Sequence, residues 1–139
     1  MKRLPGMILC LLALSTPAAA QSIEGAWRPV QYHLESGESR DVDGQILFTE
    51  DHWSVLFFVL DEGQPGRGSA EAGTYEIDGD RLTFFHTLRL ADIDRGSESA
   101  LVREIKEPTR EPTRFEMPGD QLTIHFPSGN RMVFRRLGQ

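Results

Sequence analysis

His86 is the residue whose type and position suggest chemistry most directly. It occurs in a run in which alternate residues are apolar, so it is expected to share one strand face with Leu82, Phe84, Leu88 and Leu90. An imidazole on such a face has three interpretations: a polar anchor in a binding cavity, a general base, or a core histidine bonded to a neighbour. Tyr32 and Tyr75, on the predicted inner faces of their own strands, are the expected hydrogen-bond partners.

Large aromatic side chains dominate the predicted inner faces of the strands. Such side chains form the walls of cavities that bind small apolar molecules, but they can also fill a small barrel completely. The predicted ligand-binding residues are Tyr32, Phe48, Phe57, Tyr75, Phe84, His86, Phe115 and Phe126.

The sequence offers little for other kinds of chemistry. Cys10 is the only cysteine and no two histidines have metal-ligand spacing, so no metal and no cofactor is expected. There is no Gly-x-Ser-x-Gly elbow and no phosphate-binding loop. The carboxylates are predicted in loops or at outward positions, so the sequence names no acid–base pair and no catalytic residue.

The elements that would position these residues are predicted to be β-strands. Residues 73–90 alternate on both sides of an Asp-Gly turn, which is typical of a hairpin, and residues 115–123 repeat the pattern of residues 75–83. About nine short strands predict an all-β fold, an up-and-down antiparallel barrel of about eight to nine strands, because successive hairpins place sequence neighbours side by side. The glycine-rich residues 63–73 are interpreted as a loop. The tandem Glu-Pro-Thr-Arg at 107–114 is interpreted as an edge or a connector.

The strand between Trp53 and Leu60 is apolar on both faces. A strand of this kind is central, covered by another element, or part of a subunit contact. The sequence therefore also predicts a protein partner or a homodimer through this strand.

The first twenty residues have the features of a secretory signal peptide. Lys2 and Arg3 precede a short apolar run, and small residues lead up to Ala20, after which cleavage is expected. Residues 21–139 then form one periplasmic or secreted domain with no membrane span. Thirteen basic and 21 acidic residues remain, a net charge of −8, which argues against nucleic-acid partners.

At this point the sequence resembles the small bacterial lipocalin-like domains of the calycin superfamily. Gly25-Ala26-Trp27 matches their opening Gly-x-Trp, and residues 73–80 are similar to their Gly-Thr-Tyr-x-Val-Asp-Gly-Asp hairpin. The resemblance implies a basic residue of the last strand packed over Trp27. Arg135 and Arg136 are the candidates, and Arg135 is preferred because Arg136 shares the alternation of Met132 and Phe134.

Together with the aromatic inner face, the resemblance implies an exported protein that binds a small apolar ligand inside the barrel. The first alternative is an interaction or inhibitor protein whose barrel is filled. The second alternative is an isomerase or cyclase that uses His86 as a base in the lumen.

Overall fold

The computed structural model describes residues 22–90, 103–104 and 109–138, and it contains β-strands but no helix within these ranges. The predicted signal peptide lies outside the described residues. The ten strands are β1 (Gly25–His33), β2 (Ser39–Arg40), β3 (Val42–Phe48), β4 (His52–Asp61), β5 (Gln64–Asp78), β6 (Arg81–Leu90), β7 (Arg103–Glu104), β8 (Thr109–Glu116), β9 (Gln121–His125) and β10 (Arg131–Arg136).

Eight of these strands close into an antiparallel barrel. The pairing runs β1–β3–β4–β5–β6–β8–β9–β10, and β10 pairs back with β1. The two-residue strands β2 and β7 add to β1 and β6. Successive strands are neighbours throughout, so the predicted all-β, up-and-down barrel is confirmed.

The glycine-rich residues 63–73 were interpreted wrongly as a loop. From Gln64 onward they belong to the 15-residue strand β5, which pairs with β4 from Gln64 to Thr74 and with β6 from Ala70 to Asp78. Glycine marks a close backbone approach here, because a Cβ at Gly73 would overlap the carbonyl oxygen of Phe85. A composition that is typical of loops therefore belongs to a tightly packed pair of strands.

A register shift beside Gly73 reverses the expected orientation of the end of β6. The pairing passes from Gly73↔His86 to Ala72↔Leu88, so Thr87 is an extra residue opposite β5. Because side chains alternate along a strand, one extra residue exchanges the two faces. Leu88 and Leu90, expected inside with His86, are exposed, and Arg89 lies on the side of Glu71.

The tandem repeat contributes to the barrel wall. Its described residues belong to β8, where Pro112 pairs with Thr83 of β6. The pairing of β8 with β9 begins only at Arg114. At Pro112 the strand therefore pairs with β6 but not with β9, which suits a residue that has no N–H to donate.

The core lies at the end of the barrel where β1 begins. Trp27 is fully buried and its indole N–H donates to the carbonyl oxygen of Ile23 at 2.8 Å. The guanidinium of Arg136 stacks over the Trp27 ring at 4.0 Å and donates to the carbonyl oxygens of Glu24 and Ser22 at 2.7 and 2.6 Å. Gly25 has φ +117°, and a Cβ there would lie 3.3 Å from the guanidinium. Glycine thus allows the turn and leaves room for the arginine.

The preference for Arg135 is corrected by this contact. Arg135 points outward and pairs with Asp120 at 3.3 Å. Arg136 alternates with buried Met132 and Phe134, so its side chain points inward. It therefore reaches the buried ring of Trp27, which Arg135 does not.

Candidate functional site

A chamber of about 210 Å³ lies among inward-facing residues of the barrel, and Trp27 is not among the residues that line it. Four polar residues line it: Glu71, His86, Glu111 and Ser128. Its other walls are aromatic and aliphatic, formed by Tyr32, Ile46, Trp53, Val55, Phe57, Phe84, Ile124, Phe126, Met132 and Phe134. Such a combination, apolar walls with a few placed polar groups, is typical of small-molecule sites.

The eight residues predicted to line the lumen divide into two groups. Five line the chamber: Tyr32, Phe57, Phe84, His86 and Phe126. Phe48, Tyr75 and Phe115 pack in or against the core instead, with the Phe48 and Tyr75 rings edge to face at 5.2 Å. Both groups face inward. Sequence alternation therefore predicts which residues point into the barrel, but it does not predict which of them line a cavity.

His86 lies between two carboxylates in the chamber wall. Its Nδ1 is 2.6 Å from Glu71 Oε2 and its Nε2 is 2.9 Å from Glu111 Oε2. Ser69 donates to the other Glu71 oxygen at 2.9 Å, and Arg89 Nε lies 3.7 Å from it. We call His86, Glu71 and Glu111 the chamber trio. Strands β6, β5 and β8 each contribute one member.

The two carboxylates keep His86 protonated. Burial alone would lower the pKa of His86, but hydrogen bonds and charge from Glu111 and Glu71 outweigh burial and raise this pKa to about 9. Burial raises the pKa of Glu71, but hydrogen bonds from His86 and Ser69 and the charges of His86 and Arg89 outweigh burial. The pKa of Glu71 is therefore lowered overall. At neutral pH His86 is therefore an imidazolium held between Glu71 and Glu111.

This arrangement does not favour a general-base role for His86. When both ring nitrogens carry hydrogen and both donate to carboxylates, the imidazolium has no lone pair for a substrate proton. The expected tyrosine partners are also wrong. Tyr32 accepts from Asn130 Nδ2 at 2.7 Å, and Tyr75 donates to the carbonyl oxygen of Thr49 at 2.6 Å.

The sequence missed Glu71 and Glu111 because each lay in a segment interpreted as irregular. Glu71 is in the glycine-rich residues and Glu111 is in the tandem repeat, yet both are inward strand residues. A signal for Glu111 was present, since it alternates with buried Thr113 and with Phe115. Glu71 can be assigned to the inner face only once the pairing Val55↔Glu71 is known, because this pairing places Glu71 of β5 on the same face as inward Val55 of β4.

Several polar groups of the chamber lining have unused hydrogen-bonding capacity, and those of Glu111 and Trp53 lie closest to His86. Glu111 Oε1 makes no hydrogen bond to any described residue, and the Glu111 side chain is 35% exposed. The Trp53 side chain lines the chamber, contacts His86 edge to face at 5.0 Å, and has a buried indole N–H with no partner within the described structure. One free acceptor and one free donor thus belong to the chamber walls.

The outside of β3 to β6 carries a separate apolar groove of about 340 Å³. Exposed leucines line it, among them Leu47, Leu56, Leu88 and Leu90, with Ala70 and Ala72 at its base. Leu88 and Leu90 reach this face only because of the extra residue Thr87. The apolar outer face that the sequence predicted for β4 therefore extends over four strands.

No cluster of His, Cys, Asp and Glu within the described ranges is suited to hold a metal ion. None of the described residues forms a helix that is long and apolar enough to cross a membrane.

Comparisons with known proteins concern the fold. No protein-family model matches the sequence, and no curated protein matches it. The structure is similar to the crystal structure of a lipocalin-like protein from Bacteroides uniformis, with a TM-score of 0.53 and 15% sequence identity over 83% of this chain and 98% of that one. With the closed eight-stranded barrel, this similarity shows that the chain has a lipocalin-like fold.

Proposed function

We propose that this chain is an exported protein that binds a small, largely apolar molecule in the chamber of its barrel. The observation that carries the proposal is the chamber itself, about 210 Å³ bounded mainly by aromatic and aliphatic side chains. Binding cavities for drug-sized molecules measure about 300–1,000 Å³. The ligand is accordingly expected to be small.

Two features of the barrel support binding rather than a filled interior. Side chains of the buried core, among them Trp53, Phe84 and Phe134, form part of the chamber wall and still leave about 210 Å³ unfilled beside His86. The chamber trio also puts charged groups beside apolar walls, and burial of such groups costs free energy that a core without a ligand has no reason to bear.

Tryptophan fluorescence offers a direct test, because Trp53 lines the chamber while Trp27 is sealed in the core. A panel of small aromatic and short-chain aliphatic compounds is titrated while fluorescence and melting temperature are followed. We expect saturable changes in both for some members of the panel. If no compound changes either signal, the binding function is wrong.

Two neighbouring substitutions on β4 provide a matched control. Val55→Phe adds volume inside the chamber, whereas Leu56→Phe adds similar volume on the outer face. We expect Val55→Phe to weaken binding at least tenfold and Leu56→Phe to leave it unchanged. Equal effects of the two changes would place the binding site elsewhere.

Export has its own test. When the full chain is expressed in a bacterium with a secretion pathway, intact mass measurement of the recovered protein is expected to show a chain that begins at Gln21. Protein that keeps residues 1–20 and stays with the cytosolic fraction would contradict export.

The outer groove supports a second candidate function, association with a second copy of this chain. Four adjacent strands expose a continuous apolar face, and Leu56 at its centre is 47% exposed. A second copy would cover equivalent leucines symmetrically. Light scattering on the purified protein is expected to give the mass of a dimer, and Leu56→Glu the mass of a monomer. A monomer at all concentrations would remove this candidate.

A further inference from the structure

We propose that the chamber ligand carries a protonated amine and that Glu111 is the group that holds it; this inference rests on the proposed binding function and names its ligand class.

Glu111 offers the one acceptor of the chamber trio that is not already used. Both Glu71 oxygens accept hydrogen bonds, from His86 and from Ser69. Glu111 uses Oε2 for His86, while Oε1 has no partner among the described residues. Glu111 also borders a second cleft, of about 360 Å³, between the ends of β6 and β8. Because Oε2 alone holds His86, a ligand bound to Oε1 would leave the trio's hydrogen bonds intact.

The unused oxygen of the trio favours a cation. Glu71 is balanced by His86 and by Arg89, whose Nε lies 3.7 Å from Oε1, whereas Glu111 Oε1 has no cationic partner among the described residues. The described chamber-lining residues include no Arg or Lys, and both His86 nitrogens already face carboxylates, so a carboxylate ligand would find no unused cationic donor in the chamber lining. An ammonium would form a charge-assisted hydrogen bond to Oε1, of the stronger class of hydrogen bonds.

The aromatic walls add to this preference. Trp53 and Phe84 lie beside His86, with the Trp53 and His86 ring centres 5.0 Å apart. A cation next to an aromatic face is attracted by the electron-rich ring.

A competing site exists for anions. Arg67 and Arg89 border a smaller cavity of about 160 Å³ at the rim, which shares Tyr32, Phe57 and Glu71 with the chamber. An apolar acid could place its head between these arginines and its tail in the chamber. The experiment must therefore compare an amine with an acid on the same carbon skeleton.

Three probes answer the question: 4-phenylbutylamine, 4-phenylbutanol and 4-phenylbutyrate. They share one apolar skeleton and differ in the head group. Calorimetric titration of the purified chain at pH 7 is expected to show the amine binding at least tenfold more tightly than the acid, with the alcohol between them.

Glu111→Gln removes the charge and keeps the shape of the side chain. We expect it to weaken amine binding about tenfold, which corresponds to about 1.4 kcal/mol, and to change alcohol binding little. Glu116→Gln is the matched control, since Glu116 is on the same strand but faces solvent, 3.2 Å from His125. It should leave all three probes unchanged.

The outcomes separate this inference from the proposed function. If the alcohol binds in the chamber but the acid binds as tightly as the amine or more tightly, the amine preference is wrong and the binding function stands. If none of the three binds and the wider panel also fails, both are wrong. The comparison of the three probes on the wild-type chain tests the amine preference even if Glu111→Gln does not fold.

Discussion

At the scale of single residues, the chamber trio explains why His86 is inside the barrel. The sequence located this histidine on an inward face, because a period of two is local information. It could not reveal Glu71, because the inward position of Glu71 depends on how β5 pairs with β4. The aromatic wall was thus predictable, as was Glu111 from its alternation with Thr113 and Phe115, whereas Glu71 required the register.

The first prediction concerns the pH dependence of stability. The pKa of His86 is raised from 6.5 to about 9 in the folded state. Its contribution is therefore fully present below pH 6.5 and is lost as the pH rises through 9. A shift of this size corresponds to on the order of 3 kcal/mol. Urea unfolding between pH 6 and 9.5 should show the free energy of unfolding falling across this window.

His86→Gln is the control for this prediction. The variant leaves Glu71 and Glu111 without their shared cation, so we expect it to be less stable than the wild type at pH 6. The difference should shrink towards pH 9.5, because the wild-type imidazole is then neutral. Parallel curves for the two proteins would contradict the assignment of His86 as a buried cation.

The second prediction concerns the cation that covers Trp27. Arg136→Met removes a stacked guanidinium and two hydrogen bonds to carbonyl oxygens, so a loss of about 2–4 kcal/mol in the free energy of unfolding is expected. Arg135→Met removes an exposed ion pair with Asp120 and should change stability by less than about 1 kcal/mol. Chemical denaturation of both variants measures the contrast, and a larger loss for Arg135→Met would reverse it.

At the scale of elements, the pair β5–β6 shows where strand periodicity succeeds and where it ends. Alternation predicted the hairpin between Tyr75 and Phe84, and the structure confirms it. Alternation then failed at Thr87, because a bulge is defined by hydrogen bonds across the ladder and leaves the amino-acid pattern of its own strand unbroken. The consequence is functional, since the shift brings Arg89 towards Glu71 and sends two leucines outward.

The third prediction tests the close approach that accompanies this shift. Gly73→Ala should cost more than about 3 kcal/mol, because a Cβ there overlaps the backbone of Phe85, which cannot move without opening the ladder. Gly66→Ala on the same strand should cost about 1 kcal/mol or less, since its Cβ would meet atoms no closer than 3.3 Å. Urea unfolding distinguishes the two, and equal losses would mean that β5 and β6 separate easily beside His86.

At the scale of the whole molecule, the barrel divides into a sealed part and a part with space. Trp27 belongs to the buried core and does not line the chamber, whereas Trp53 and Phe84 belong to the core and also form part of the chamber wall. The sequence predicted the barrel because every hairpin carries its own local signal. The division could not be predicted, because it depends on the summed volume of side chains from all eight strands.

The fourth prediction follows from this division. Backbone amides of the β9 residues Leu122 and Ile124, which lie in the core, should exchange with solvent at least 100-fold more slowly than those of Val59 and Leu60 towards the other end. Hydrogen exchange followed by NMR measures this difference. Uniform protection along the strands would show that the chamber end is as firmly held as the core.

The hydrogen bonds from Arg136 to the carbonyl oxygens of Ser22 and Glu24 also constrain the order in which the barrel can fold. The residues that meet there are separated by 114 and 112 positions, so the ring of strands stays open until β10 has left the ribosome. Every earlier hairpin can form during synthesis, but β1 has no partner on one side until then. Closure is therefore a late event that joins the two ends of the described chain. If the chain is exported as proposed, this late closure would keep the barrel open until synthesis is complete.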